Sequence, residues 1–447
     1  MDRNSDAQLR IMTEQPIEKL LISLSVPTIL SMLVTTLYNI ADTAFVGTLG
    51  TSQSGATGVV GGFMAILQAI AFMCGQGAGS IMSRKLGNKE NDKANMVAST
   101  GVFMSFSLGF IIAVISFVFM DFLMNLLGAT VTIAPYAKTY TTYILLSAPF
   151  FTSSFTLNNL LRYEGKAKLG TVAMITGAVL NVGGDALFIC GLGFGIMGAG
   201  LATAIGQTVS FILLLSMYFR GKTVVKLSLK NISFKLNTIF EIAATGFPSL
   251  LRQGLNSVAT MLLNKNAGIY GDQAVAAMSI VGRLSFFPMA VAIGVGQGFQ
   301  PISGFNYGAG KKERVREAFY KALIGSEMML VLSSIPMFAF APHFVKILRD
   351  DAGVIVIGTR ALRLMCVAQV AVPLTMMVEM GFQSTGQKLL ATISSSLRSG
   401  LVFIPTLLIL SKLRGLSGVQ EAQPMSFVIT FGICLYLLKI YFEKLKD

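Results

Sequence analysis

Long apolar stretches broken by short polar segments run the length of the chain. Stretches of about 20 apolar residues match the helix length needed to cross a hydrocarbon core. They predict twelve helices, over residues 20–46, 53–82, 95–119, 131–160, 168–191, 196–219, 238–266, 273–303, 317–341, 353–382, 389–411 and 421–442. Glycine and proline interrupt several of them, which helices in a membrane tolerate better than helices in water. The fold expected is an all-α integral membrane protein. The first twenty residues are polar and include acids, with no apolar leader, so the helix at 20–46 is expected to stay in the mature chain.

The pattern also repeats. Moving the chain by 221 residues lays Pro27 on Pro248, Gly50 on Gly271, the GQG at 75–77 on the GQG at 296–298, Gly87 on Gly308 and Gly165 on Gly386. Each half then carries six helices, and an even number makes both halves enter the membrane in the same sense. Such parallel repeats are related by a pseudo-two-fold along the membrane normal, a plan common among secondary transporters. The domains expected are an amino-terminal lobe (1–219), a cytoplasmic connection (220–237) and a carboxyl-terminal lobe (238–447). The connection alternates apolar and polar residues, which suits either the inner membrane surface or a solvated linker.

Composition supports the membrane reading. Of 447 residues, 53% are hydrophobic and 13% charged, with a mean hydropathy of +0.69, whereas soluble domains are about a quarter charged. The net charge of +14 does not imply a nucleic-acid partner, because no basic face is interleaved with aromatics. Lysine and arginine instead collect in alternate connections, twenty-three in one set and four in the other. That asymmetry predicts a cytoplasmic location for both termini. Cys74, Cys190, Cys366 and Cys434 stand singly and predict neither disulfides nor a metal site. His343 is the sole histidine, GQGAGS lacks the βαβ setting of a dinucleotide site, and no HExxH or GxSxG occurs. Neither an enzyme nor a cofactor is expected.

Charge inside the apolar stretches is therefore the main functional signal. Asp42 is the only aspartate, glutamate, lysine or arginine between Leu20 and Val46. A carboxylate at the bilayer centre costs about 2.5–3.5 kcal/mol on insertion scales and is rarely kept without use. Asp185 lies in TGAVLNVGGDALF, with Asn181 four residues earlier on the same helical face. Given the orientation above, Asp42, Asp185 and Thr203 all fall toward the outer side. Four such oxygen-bearing side chains could hold a proton or a small hard cation such as Na⁺. In the other half Glu327, Glu379, Arg252, Lys265, Arg283 and Arg398 lie in or beside apolar segments. Glu379 and Arg398 are candidates to line a cavity, with snorkelling to the interface as the alternative.

Taken together, YNIADTAFVGTLG, GQGAGSIMSRKLGNKENDKA, GQGFQPISGFNYGAGKKERVREA and the RYEGK…N…GGD run resemble the multidrug and toxic compound extrusion (MATE) family. The chain is most similar to its DinF-like/MepA-like prokaryotic branch. The resemblance implies a multi-pass antiporter of the prokaryotic cytoplasmic membrane, driven by H⁺ or Na⁺, exporting cationic amphipathic drugs and dyes by alternating access. It implies no cofactor and no obligatory protein partner. By the family pattern Asp42, Asn181, Asp185 and Thr203 form the amino-lobe cation site, the metal ligands if the ion is Na⁺. Pro27 matches a helix-bending proline, and Tyr140 and Asn158 match polar positions of the same lobe. Other branches carry a glutamate in helix 7, but SLLRQGLNSVATMLLNKNAG has no acid, so coupling is expected to rest on the amino lobe. A lipid-linked oligosaccharide flippase of similar architecture is the alternative; it would need a strongly cationic cavity, and an acidic amino lobe argues against it.

Overall fold

The computed structural model describes residues 3–446, and every regular element among them is helical. The chain divides into two compact units. The first contains α1 (Arg3–Glu14), most of α2 (Ile17–Gly47), α3 (Thr51–Gly87), α4 (Asn91–Val118), the short α5 (Met120–Leu126), α6 (Ala134–Tyr163), α7 (Ala167–Asp185) and α8 (Ile196–Phe219). The second contains most of α9 (Leu236–Gly268), then α10 (Asp272–Gly308), α11 (Lys312–Ala339), α12 (Ala341–Leu348), α13 (Ala352–Ala368), α14 (Val372–Ser384), α15 (Lys388–Ser396), α16 (Phe403–Arg414) and α17 (Leu416–Lys446). A π-helical turn, Ala186–Gly191, extends α7; a 3-10 turn, Gln369–Ala371, joins α13 to α14, and a π turn, Leu397–Leu401, joins α15 to α16.

Each segment expected from the apolar pattern coincides with one of these long helical stretches. Ten are long and apolar enough to cross a membrane. The other two are α6 and α9. In α6 the polar side chains point inward, with Thr141, Thr152, Ser153 and Thr156 all fully buried, so its low hydropathy reflects packing rather than a water-facing surface. Elsewhere large apolar side chains such as Ile212, Leu332 and Val356 remain exposed, as suits helices bathed in hydrocarbon. The protein is a multi-pass membrane protein. In the first unit Phe63, Leu67, Tyr140, Ile144, Phe151 and Phe155 belong to one buried cluster. In the second, Leu263, Val281, Leu330, Leu362, Met376 and Phe403 do the same.

The units differ from a division at residues 220–237. Residues 15–29 group with the second unit, and residues up to Leu250 group with the first. The connection itself is tied down by its backbone. The Val224 N–H donates to Glu164 Oε2 at 2.8 Å and the Lys226 N–H to Asn95 Oδ1 at 2.8 Å. Further on, the Ser228 N–H donates to Ser99 Oγ at 3.2 Å and the Ser233 N–H to Thr100 Oγ1 at 3.0 Å. A solvated linker would leave these groups to water.

The GQG stretches lie within α3 and α10, where they let helices approach closely. A Cβ on Gly77 would stand 2.2 Å from the Ile242 carbonyl oxygen and 3.0 Å from the Gly246 nitrogen. In the second unit a Cβ on Gly298 would meet Ser25 Oγ at 2.3 Å. Gly77 and Gly298 are 221 residues apart, and so are Ser25 and Gly246. The sequence offset thus recurs as a packing contact inside each unit. It recurs in turns as well: Gly50 and Gly271 precede α3 and α10 with φ of 121° and 97°, a region open to glycine at little cost.

Candidate functional site

Three helices of the first unit each present two polar residues four apart, hence on one face: Tyr38 and Asp42 on α2, Asn181 and Asp185 on α7, Thr203 and Gln207 on α8. Small residues bring α7 and α8 together. A Cβ on Gly177 would meet Ser210 Oγ at 1.8 Å and the Gly206 carbonyl at 2.7 Å, and one on Gly184 would meet the Ala202 Cβ at 2.9 Å. That approach lets Asn181 Nδ2 donate to Thr203 Oγ1 at 3.1 Å. On the other side, Ser31 Oγ of α2 donates to Thr171 Oγ1 of α7 at 2.9 Å.

Asp42 and Asp185 interact side chain to side chain. Asp185 is fully buried, Asn181 and Thr203 are buried, and Asp42 is half-buried. Tyr140 of α6 sits against Thr203 and feels both carboxylates; Tyr38 sits against Gln207 and feels Asp42. The oxygens of this cluster are short of donors. Asp42 Oδ1, both oxygens of Asp185, Asn181 Oδ1 and Gln207 Oε1 are buried without a hydrogen-bond partner. Unpaired buried acceptors of this kind are costly, and two facing carboxylates repel unless positive charge lies between them. A proton or a cation would relieve both penalties. Among the described residues no group of three or more His, Cys, Asp or Glu side chains stands together. A cation here would therefore be met by two carboxylates and neutral amide and hydroxyl oxygens, a hard donor set suited to Na⁺.

The structure thus brings Asp42, Asn181, Asp185, Thr203 and Tyr140 together. Asn158 is not among them. It lies eighteen residues beyond Tyr140 on α6, roughly 27 Å along the helix, where its Oδ1 faces Gly170. Pro27 lies inside α2, in the part that groups with the second unit. Sequence reading missed Tyr38 and Gln207. Their signal was the four-residue spacing to Asp42 and Thr203, the same spacing that singled out Asn181.

In the second unit Glu379 is paired with Arg252. Arg252 Nη1 donates to Glu379 Oε1 at 2.6 Å, with both side chains buried. Arg398 stays within electrostatic range of Glu379, and its Nη1 donates to Met289 Sδ at 3.7 Å.

Comparison with known proteins agrees with this architecture. The MatE family matches the chain twice, over residues 27–187 and 248–409, and the two starts are again 221 residues apart. The multidrug export protein MepA of Staphylococcus aureus (strain MRSA252) is 27% identical over 443 residues, covering 99% of this chain and 97% of MepA. A solved MATE structure in complex with MaL6 superposes with a TM-score of 0.92 at 26% identity, over 98% of this chain and 99% of that one. The outward-facing structure of a multidrug resistance MATE family transporter gives 0.92 at 26% identity, over 98% of both chains. With both halves matched, the chain belongs to the MatE family, whose members are transporters and not enzymes.

Proposed function

We propose that the protein is a cation-coupled multidrug antiporter working by alternating access, with twelve membrane spans in two parallel six-helix lobes and both termini in the cytoplasm of a prokaryotic cell. Its substrates are cationic amphipathic drugs and dyes, its coupling ion is H⁺ or Na⁺, and it needs no cofactor. The observation that carries the reading is the Asp42–Asp185 pair with its unsatisfied oxygens. A cation entering the pair from outside cancels the repulsion and meets Asn181, Gln207 and Thr203 oxygens. A cationic drug, which favours the uncompensated pair, is then released. Ion and drug compete for the same negative charge, so each drives the other off.

Ethidium efflux from proteoliposomes, measured under separate ΔpH and Na⁺ gradients, tests this. Wild-type protein should export the dye under at least one gradient. Asp42→Asn and Asp185→Asn should insert and fold normally yet lose gradient-driven efflux. Wild-type rates from Asp42→Asn, or efflux indifferent to both gradients, would refute the mechanism.

A further inference from the structure

Glu327 belongs to none of the machinery described so far. It lies near the middle of α11, fifteen residues from Lys312 and twelve from Ala339, which puts it roughly 22 and 18 Å from the helix ends. Among the described residues no hydrogen bond or ion pair reaches its side chain. It opens into a groove of about 1150 Å³ walled by α11, α13, α14 and α17 with Arg414 at the end of α16, all within the second unit. The rest of the wall is apolar, apart from Arg414 and Glu421. Those two pair with each other at 2.6 Å, and Arg360 holds Glu421 from a second side at 2.8 Å. Among the described residues Glu327 is therefore the one charge lining the groove that has no ion-pair partner.

The groove is open along its length. Met328 is 65% and Val428 54% exposed, so in a membrane its mouth faces the acyl chains. A lipid tail satisfies the apolar wall but leaves the carboxylate bare. An occupant that suits both the apolar wall and an ionised Glu327 is apolar in body and positively charged, and the flexible thioethers of Met328 and Met425 allow varied shapes to pack. We propose that this groove is a second binding site, specific for lipophilic cations arriving laterally from the bilayer, with Glu327 as the counter-charge. It shares the cation class of the antiporter reading but none of its residues, and binding there does not require transport.

Equilibrium binding of tritiated tetraphenylphosphonium to the whole chain in phosphatidylcholine nanodiscs tests the proposal. The Asp42→Asn/Asp185→Asn variant should retain saturable binding of about one equivalent per chain, a single-site isotherm. Adding Glu327→Gln should weaken that binding about tenfold, the scale of losing one charge-assisted contact. Val428→Trp, made at a lipid-facing position and checked by gel filtration, should block the groove while leaving Glu327 in place. Undiminished binding in both Glu327→Gln and Val428→Trp would overturn the proposal. So would a phospholipid, identified by mass spectrometry, that the probe cannot displace. Failure of the antiporter reading shows separately, as efflux surviving in Asp42→Asn.

Discussion

Glu164 follows the last residue of α6, fully buried, and holds the Val224 N–H of the connection between the two sequence halves. Burial pushes its carboxyl from the ordinary 4.5 up to about 8, against the opposing pull of the Val224 and Val225 N–H groups and Lys166. An acid raised in this way binds its proton more tightly in the folded chain. The stability it contributes is whole below about 4.5 and is lost as pH rises toward about 8. Glu164→Gln keeps an acceptor for Val224 without the titration. Hydrogen exchange at Val224 should thus be slower in Glu164→Gln than in wild type at about pH 8, and equal at about pH 4.5. Identical exchange at both pH values would remove the carboxyl as the cause. The RYEGK run includes Glu164, but nothing in the sequence marked it as buried, because a glutamate among Arg162, Lys166 and Lys168 reads as a solvated loop charge. Asp42 and Asp185 were legible for the opposite reason: a lone acid in an apolar helix has no solvated reading. Which of the cations near the apolar segments pairs with Glu379 depends on contacts across helices that spacing along the chain does not encode; it is Arg252.

The helices that carry the site owe their positions to small residues. Gly177 and Gly206 let α7 and α8 come near enough for Asn181 to reach Thr203. Gly177→Ala forces a methyl group against Ser210 Oγ and the Gly206 carbonyl, an overpacking that costs about 1–3 kcal/mol. It should lower the thermal unfolding midpoint and slow dye efflux together. Gly61→Ala on α3, whose added methyl meets nothing within 4 Å, should change neither beyond experimental scatter. An unaltered midpoint in Gly177→Ala would show that the two helices are not held by this contact. The apolar pattern located these helices well because length and hydropathy are what a bilayer selects. The π turn after Asp185 left no such trace. A shift from i→i+4 to i→i+5 bonding changes where side chains point without changing which residues occur, although such turns do gather at functional sites.

Across the whole molecule, the two halves share the family match but not a charge plan. The 221-residue offset that was plain in the sequence carries the GQG contacts and the Gly50 and Gly271 turns, yet Asp42 maps onto Leu263 and Asp185 onto Thr406. Conversely, Arg252 and Glu379 map onto Ser31 and Asn158. The grouping of residues 15–29 with the second unit was not legible, since it depends on which helices touch rather than on any composition shift. One half therefore holds two facing acids short of donors, and the other a buried ion pair. Breaking a buried pair by removing one partner costs about 3–5 kcal/mol, whereas replacing both by apolar residues is often neutral. Glu379→Gln should accordingly lower the unfolding midpoint, and Arg252→Met/Glu379→Met should recover much of the loss. Both variants should keep the wild-type dependence of efflux on ΔpH and Na⁺, because neither touches Asp42 or Asp185. A changed ion dependence in Glu379→Gln would mean that the second half takes part in coupling, and that its charges do more than hold α9 to α14.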